Sequence, residues 1–248
     1  IYIASEKTSI LVDAGLSCKE IERRLGEIGV EASEISAICI THEHGDHQSG
    51  VGVMFSKHGM DMYANDGAVD YVESRQGHRG IRWNVFTTGE PFEIEDIQVE
   101  PFSIPHDSYD PVGFALTVNG VRVVIATDMG MVTTLIREKM KNADILVLEC
   151  NHDEILLKES DRPWSLKQRI AGRQGHLSNS QAAEALIETA GPNLSVVFVA
   201  HMSSECNEPD LALSTIRKAL DNHGRSDVDV KLTRQSYVSD LIEIPARG

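Results

Sequence analysis

The stretch Cys39 to His47, CITHEHGDH, places three histidines and one aspartate within six residues, directly after an apolar strand predicted over Ala37 to Ile40. The four side chains are those of His42, His44, Asp46 and His47. Imidazole nitrogens and a carboxylate oxygen together suit zinc, manganese or iron. Their spacing does not fit one face of a helix or a strand, so an irregular loop is predicted, and Gly45 permits it. The predicted role is metal binding, and a solvated polar loop is the alternative.

Length and composition predict one globular domain that covers residues 1–248. The chain has 248 residues, of which 41% are apolar, and this suffices for a sizeable core. It contains no run of about 18 apolar residues and no signal-peptide pattern, so a soluble, cytoplasmic protein without membrane contact is expected. The four cysteines are too scattered for a disulfide framework and are expected to be reduced and mostly buried. The chain starts at Ile1 rather than at methionine, and what precedes Ile1 stays open.

The charge balance opposes non-specific attraction to nucleic acid. Lys and Arg number 23 against 38 Asp and Glu, which gives a formal charge of -15. A nucleic-acid substrate therefore needs a local basic patch. The segment from Lys158 to Arg173 has five basic residues and two acidic ones, and its Trp164 could stack on an unpaired base. The predicted substrate-binding residues are Arg162, Trp164, Lys167, Arg169 and Arg173, and a merely solvated face is the alternative.

The order of apolar runs and turns predicts two sheets with helices outside them, an α+β architecture. The first half is rich in strands: it opens with a hairpin within residues 1–13 and includes one long strand from Glu93 to Ile104. Ser17 is predicted to cap the first helix. Asn119-Gly120 predicts a two-residue hairpin turn. The second half alternates strands with helices and ends on a strand predicted from Tyr237 to Ile244.

Three more candidate ligands follow apolar strands. They are His106, Asp128 and His201. Active-site residues of open sheets gather where strands end, which favours a functional role for all three. Each has a plain alternative, since a histidine after a strand can be structural and an aspartate there can serve a turn or a helix cap. Together with the first stretch they make seven ligands, enough for two metal ions.

These seven residues match the motif of the metallo-β-lactamase superfamily, which the chain resembles over nearly its whole length. The family motif H-x-H-x-D-H is met within residues 42–47, the later single His by His106, the bridging Asp by Asp128 and the last His by His201. The resemblance implies a four-layer αββα sandwich. It also implies two divalent metal ions, one held by His42, His44 and His106 and the other by Asp46, His47 and His201, with Asp128 bridging both.

Three further blocks resemble the YycJ/WalJ group of this superfamily, whose members are described as exonucleases acting on double-stranded DNA. The blocks are LECNHD at residues 148–153, RPWSLK at residues 162–167 and GHLSN at residues 175–179. A more distant resemblance to tRNase Z and to cyclic-phosphate phosphodiesterases implies that Glu149 and His176 act together as a proton donor. The alternative is that Glu149 only ends a strand and His176 only precedes a helix. The predicted catalytic residues are therefore Asp46, Glu149 and His176.

The predicted function is that of a dinuclear-metal-dependent phosphodiester hydrolase, namely an exonuclease on double-stranded DNA. Two cations would lower the pKa of a bridging water, so that a bridging hydroxide attacks the phosphate. Zinc or manganese suits this ligand set, and iron is possible. A small cyclic-phosphate phosphodiesterase or another hydrolase of the same fold is the main alternative. A di-iron redox protein is disfavoured by His44 at a position where glutamate is typical, and a structural metal site would need only four ligands. Oligomeric state and cleavage direction stay open.

Overall fold

The computed structural model describes residues 1–76 and 80–245, apart from the side chains of residues 75 and 76. The chain divides into two compact units. Unit 1 consists of Ile1–Ser103 and Ser108–Gly120 together with Pro245, and unit 2 consists of Ile104–Asp107 and Val121–Ile244. A five-stranded sheet lies wholly within unit 1, and the single domain stays a prediction. Within the described ranges, no helix is long and apolar enough to cross a membrane.

A five-stranded sheet is the centre of unit 1. Its strands, in spatial order, are β1 (Tyr2–Ala4), β2 (Ser9–Val12), β3 (Ala37–Cys39), β4 (Asp61–Ala64) and β5 (Trp83–Val85). β1 and β2 form the predicted antiparallel hairpin, and β2 to β5 run parallel. β3 is central and buried along its whole length. Because parallel strands end at the same edge, the residues that follow β2, β3 and β4 meet there.

Helices pack on this sheet through one apolar core. They are α1 (Cys18–Glu27), α2 (Gly45–Gln48), α3 (Val51–His58) and α4 (Asp66–Gln76). α1 begins as predicted, since the Ser17 hydroxyl accepts a hydrogen bond from the Glu20 amide at 3.3 Å. The core joins Ile21 and Leu25 of α1 to Ile38 of β3. The strand that precedes the histidines is therefore held rigidly from one side.

Unit 1 also contains an antiparallel set of three strands. They are β6 (Phe92–Ile94), β7 (Ile97–Ser103) and β8 (Val112–Val118). The single strand predicted from Glu93 to Ile104 is wrong, because Glu95 and Asp96 form a tight turn between β6 and β7. Glu95 has a φ of 52°, in the left-handed region that a two-residue hairpin turn requires. Neither residue is the glycine or asparagine that ordinarily signals such a turn.

Unit 2 is built on a parallel sheet. Its strands are β9 (Val121–Ala126), β10 (Ile145–Glu149), β11 (Val196–Ala200) and β12 (Asp229–Leu232), in the order β12-β11-β10-β9. The predicted turn before β9 is confirmed, since Asn119 and Gly120 have φ angles of 49° and 74°. The connecting helices are α5 (Thr134–Met140), α6 (Glu154–Glu159), α7 (Trp164–Ile170), α8 (Asn179–Thr189) and α9 (Pro209–Asn222).

The closing strand predicted from Tyr237 to Ile244 is wrong. Residues 238–244 have no strand assignment, and Tyr237 makes only an isolated bridge with Arg234. Tyr237 and Leu241 are both exposed. A strand is stable only when it pairs with a neighbour and buries one face. The alternating apolar pattern of this segment therefore does not lead to a strand.

Gly15 provides a test of how tightly the turn after β2 packs against the histidines. A Cβ atom at Gly15 would lie 1.5 Å from the carbonyl oxygen of Asp46, so Gly15→Ala must displace backbone. We expect it to lower the free energy of unfolding by about 2–5 kcal/mol in urea denaturation. Gly26→Ala is the control: a Cβ there meets nothing within 4 Å, and alanine inside α1 should raise stability by about 0.5–1 kcal/mol. Equal stabilities of the two variants would contradict this packing.

Candidate metal centre

The histidine loop, residues 42–47, follows β3 and is only partly irregular. The predicted irregular loop is wrong for its second half, since Asp46 and His47 lie in the one-turn helix α2. The His47 amide donates to the His44 carbonyl oxygen at 3.0 Å, and the Ser49 amide donates to that of Gly45 at 3.0 Å. These hydrogen bonds pair the backbone amides of α2 and fix the backbone from which the side chains of Asp46 and His47 extend.

Within the histidine loop, the predicted ligand atoms form two pairs. Nε2 of His42 lies 3.0 Å from Nδ1 of His44, and Nε2 of His47 lies 3.7 Å from Oδ2 of Asp46. Two ligands about 2.1 Å from one ion lie about 3.0–3.4 Å apart at octahedral or tetrahedral angles. The first pair fits one cation directly. The second pair needs only a small rotation of the exposed Asp46 side chain to fit another.

Asp13 orients this loop, and the sequence reasoning missed it. It follows β2 at the same sheet edge, and its Oδ2 accepts a hydrogen bond from Nδ1 of His47 at 2.8 Å. Its Oδ1 accepts from the Thr41 amide, also at 2.8 Å. With Nδ1 protonated, Nε2 of His47 carries the lone pair that a metal requires. An aspartate at the end of a strand adjacent to β3 was the available signal.

In unit 2, two predicted ligands, His106 and His201, lie close to the carboxylate of a third, Asp128. Oδ1 of Asp128 lies 3.2 Å from Nε2 of His201 and 3.9 Å from Nε2 of His106. Nδ1 of His106 donates to the Gly175 carbonyl oxygen at 3.2 Å, which leaves Nε2 as its ligand atom. Asp128 and His201 have φ angles of 60° and 55°. Such left-handed backbone is uncommon for residues other than glycine, although Asp and His adopt it more readily than most, and it recurs at functional sites.

Glu149, at the end of β10, is fully buried and connects two imidazoles. Its Oε1 accepts from Nδ1 of His176 at 2.7 Å and from Nδ1 of His201 at 3.0 Å. Its Oε2 accepts from the amides of Met129 and Leu177 at 2.9 and 3.2 Å. Burial alone would raise the pKa of Glu149, but the hydrogen bonds and charges of His176 and His201 outweigh it and hold this pKa below its usual value. Glu149 is thus an ionised acceptor that orients both rings.

His176 lies among the candidate ligands of unit 2 without being needed as one. Its ring centroid is 5.1 Å from that of His106 and 5.3 Å from that of His201. Its Nδ1 is held by Glu149, so Nε2 is the atom available for proton transfer. The resemblance to tRNase Z and to cyclic-phosphate phosphodiesterases implied that Glu149 and His176 act together, and the two side chains are hydrogen-bonded. The additional bond from Glu149 to His201 was not predicted.

The basic segment is not one uniform surface. A cavity of about 480 Å³ in unit 2 is lined by Asp107, Arg169, Gly172, Arg173 and Gln174. Arg169 forms an ion pair with Asp107, and Arg173 donates to the sulfur of Met131 at 3.3 Å. Two predicted substrate-binding arginines thus reach one cavity.

The remaining predicted substrate-binding residues lie elsewhere in the segment. Lys167 donates to the carbonyl oxygens of Lys158 and Ser160 at 2.7 and 2.5 Å, which ties α7 to α6. Arg162 pairs with Glu205 at 3.1 Å. Trp164, at the start of α7, is 69% exposed. Of these three, only the Trp164 side chain presents a large surface to solvent.

Comparison with known proteins agrees with this geometry. Residues 8–202 match the family described as the beta-lactamase superfamily domain. The chain is 38% identical over 224 residues to exodeoxyribonuclease WalJ of Streptococcus pneumoniae, which covers 87% of this chain and 81% of that protein. It is 32% identical over 225 residues to exodeoxyribonuclease YycJ of Bacillus anthracis, which covers 90% of this chain and 85% of that protein.

A solved structure shows the fold. The metallo-beta-lactamase fold protein YhfI of Bacillus subtilis is similar with a TM-score of 0.70 and 17% identity, over 94% of this chain and 87% of that protein. The predicted α+β class and metallo-β-lactamase fold are therefore confirmed.

The two orienting carboxylates generate a prediction about metal affinity. Glu149→Gln and Asp13→Asn each replace an anionic acceptor that holds a candidate ligand, His201 or His47. Each should weaken zinc binding about 10- to 100-fold, as measured by competition with a chromophoric chelator. Asp144→Asn is the control, because this buried carboxylate precedes β10 at the opposite end from Glu149 and accepts from the Arg122 amide. If zinc affinity fell equally in all three variants, these carboxylates would affect zinc binding only by stabilising the fold.

Proposed function

Because the chain belongs to the beta-lactamase superfamily, we propose that it is a metal-dependent exonuclease that hydrolyses phosphodiester bonds in double-stranded DNA. The superfamily predicted from the histidine motif is thereby confirmed. Two relatives that bear the name exodeoxyribonuclease support the substrate class. One observation carries the proposal: a single oxygen of Glu149 binds both His201, a candidate metal ligand, and His176, a histidine that the ligand set does not need.

The proposed cofactor is a pair of divalent metal ions. His42, His44 and His106 would hold one, Asp46, His47 and His201 the other, and Asp128 would bridge them. The spacing of ligand atoms within each unit supports this set, as does its mixture of imidazole and carboxylate donors, which suits zinc or manganese and also iron. When bound, two such cations activate water and neutralise charge that develops on a phosphate.

The remaining chemistry falls to His176 and Asp46. As the oxygen of water bonds to phosphorus, the bond from phosphorus to the leaving oxygen breaks, and that oxygen needs a proton. His176 would supply it from Nε2, while Glu149 stabilises the protonated ring through Nδ1. Asp46, whose side chain is 70% exposed, would accept the proton that the attacking water loses. The products would be a shortened strand and a released nucleotide.

The proposed substrate surface is the cavity that Arg169 and Arg173 line, with Trp164 as a stacking surface. In a protein with a formal charge of -15, these arginines supply local positive charge for phosphate groups. Lys167 and Arg162 would contribute more weakly, since their side chains are less exposed than that of Arg169 and bind backbone oxygens or Glu205. The four cysteines are free and buried, which supports action in a reducing compartment such as the cytoplasm.

A second candidate function is the hydrolysis of a small cyclic phosphate. The cavity volume of about 480 Å³ favours it, since ligand pockets of roughly 300–1,000 Å³ hold small molecules. Dependence on salt separates the two candidates. Binding of a polyanion weakens steeply with salt concentration, whereas binding of a small monoanion changes little.

The direct test is digestion of end-labelled nucleic acids by the metal-replete protein. We expect stepwise release of nucleotides from double-stranded DNA and weaker action on single-stranded DNA and RNA. Arg169→Ala combined with Arg173→Ala should weaken DNA binding and reduce the salt slope by roughly one unit per lost phosphate contact. Hydrolysis of bis(nitrophenyl) phosphate should stay nearly unchanged in this double variant. Cleavage of a cyclic nucleotide without cleavage of DNA would favour the second candidate.

The proposed proton donor is tested by leaving-group dependence. His176→Ala should retain its metal ions yet lower turnover of DNA by roughly 10²- to 10⁴-fold, because an alkoxide leaving group needs a proton. The loss on bis(nitrophenyl) phosphate should be much smaller, since nitrophenolate leaves without one. Metal content by atomic emission and both turnover rates are the measurements. If His176→Ala loses its metal ions, or if turnover of both substrates falls equally, His176 is not the proton donor.

A further inference from the structure

Tyr109 exposes 75% of its surface, yet the loop that carries it is held firmly within unit 1. We call residues 108–110 the tyrosine loop. The Ser108 hydroxyl donates to Oε2 of Glu43 at 2.5 Å, and the Tyr109 amide donates to Oε1 of Glu43 at 3.2 Å. Glu43 is itself buried. Both of its carboxylate oxygens are therefore used to position the backbone of an exposed aromatic residue.

The other side of the tyrosine loop is fixed by Asp110. Its Oδ2 accepts from the Thr88 hydroxyl at 2.6 Å and from Nδ2 of Asn65 at 3.0 Å. Nδ2 of Asn65 also donates to the Asp110 carbonyl oxygen at 2.6 Å. Asn65 is buried directly after β4, and its Oδ1 accepts from the Ala68 amide in α4. The loop is thus joined to the same sheet edge that carries the histidine loop.

The ring of Tyr109 gains little packing from these bonds. Its centroid is 6.4 Å from that of Tyr71, at an angle of 51°, and most of its surface stays in water. A rigid tyrosine with two rotatable bonds offers contact area at low cost in conformational entropy. The loop therefore orders an aromatic surface that folding does not use.

The position of this surface indicates what it binds. Glu43 stands between the candidate ligands His42 and His44, so the atoms that fix Tyr109 belong to the histidine loop itself. The Val112 amide, just after the tyrosine loop, donates to the Thr41 carbonyl oxygen at 3.0 Å. In a protein with a formal charge of -15, stacking is a way to bind DNA that does not depend on net charge.

We infer that Tyr109 is a stacking platform for the terminal nucleobase of the DNA substrate and that Glu43 is its positioning residue. This inference rests on the proposed function and deepens it, because it adds a contact to a base where the basic cavity contacts phosphate. Stacking accepts all bases, since each has an aromatic face. The platform would favour strand ends, whose terminal base is the most easily unpaired.

Binding of fluorescein-labelled duplexes tests the inference without any need for hydrolysis. Tyr109→Ala should weaken the binding of a duplex with normal ends by about 5- to 150-fold, the range expected for one stacked base. Tyr109→Phe keeps the ring and should bind nearly as the parent does. When both terminal nucleotides are abasic, the parent and Tyr109→Ala should bind equally. Tyr237→Ala is the matched control, because Tyr237 is 68% exposed and lies outside the tyrosine loop.

Each outcome is decisive. Weaker binding by Tyr109→Ala on normal ends but not on abasic ends supports the platform. Equal binding by the parent and Tyr109→Ala, or the same loss on both kinds of end, overturns it, as does a parent protein that binds no DNA. A parent that binds DNA through Tyr109 yet cleaves none would contradict the proposed exonuclease while leaving the platform standing. Zinc content measured by atomic emission should be the same in Tyr109→Ala as in the parent, which shows that the metal centre is intact.

Discussion

The ionised carboxylate of Glu149 is the constraint on which unit 2 depends. A buried charge is tolerated only when hydrogen bonds replace the water that it loses. Here four donors do so: the imidazoles of His176 and His201 and the amides of Met129 and Leu177. The amides follow β9 and precede α8, so a single carboxylate ties the strand ends to a helix start. Satisfying one charge therefore also sets the orientation of a candidate ligand and of a candidate acid.

In unit 1, Asp13 is likewise a carboxylate that accepts several hydrogen bonds and thereby orients a candidate ligand, His47.

Asp13, Asp128 and His201 all follow parallel strands, and all have positive φ angles. The strain costs about 1–3 kcal/mol for each residue. It persists because the strands before these residues are buried and leave the chain little freedom to relax. The left-handed turn sends each side chain back toward the sheet edge, where an ordinary loop would carry it into solvent.

Much of this centre could be predicted because its signals are local. Three histidines and an aspartate within residues 42–47 indicate a candidate metal site before any fold is known, and strand ends point to Asp128 and His201 as further candidates. Asp13 was missed because its partner His47 is 34 residues away along the chain, and only the parallel pairing of β2 with β3 brings them together. The turn at Glu95 was missed for another reason, since tertiary pairing imposes a backbone that its sequence does not favour. Only the first error concerns a long-range contact, since β6 and β7 pair across a two-residue turn whose sequence lacks the usual glycine or asparagine.

Electrostatics in the basic cavity show how an acidic protein could still bind a polyanion. Arg169 is paired with Asp107, which follows the candidate ligand His106, so its charge is partly neutralised in the free protein. The Arg169 side chain is largely exposed, and an exposed ion pair contributes only about 0–1 kcal/mol. A phosphodiester carries one negative charge and two free oxygens, as a carboxylate does, so it can replace Asp107 as the partner of Arg169 at little net cost. In the proposed exonuclease, arrival of DNA would thus exchange one anion for another at Arg169. The proposed phosphate binding therefore does not require a basic protein, only a weakly paired arginine beside a candidate metal ligand.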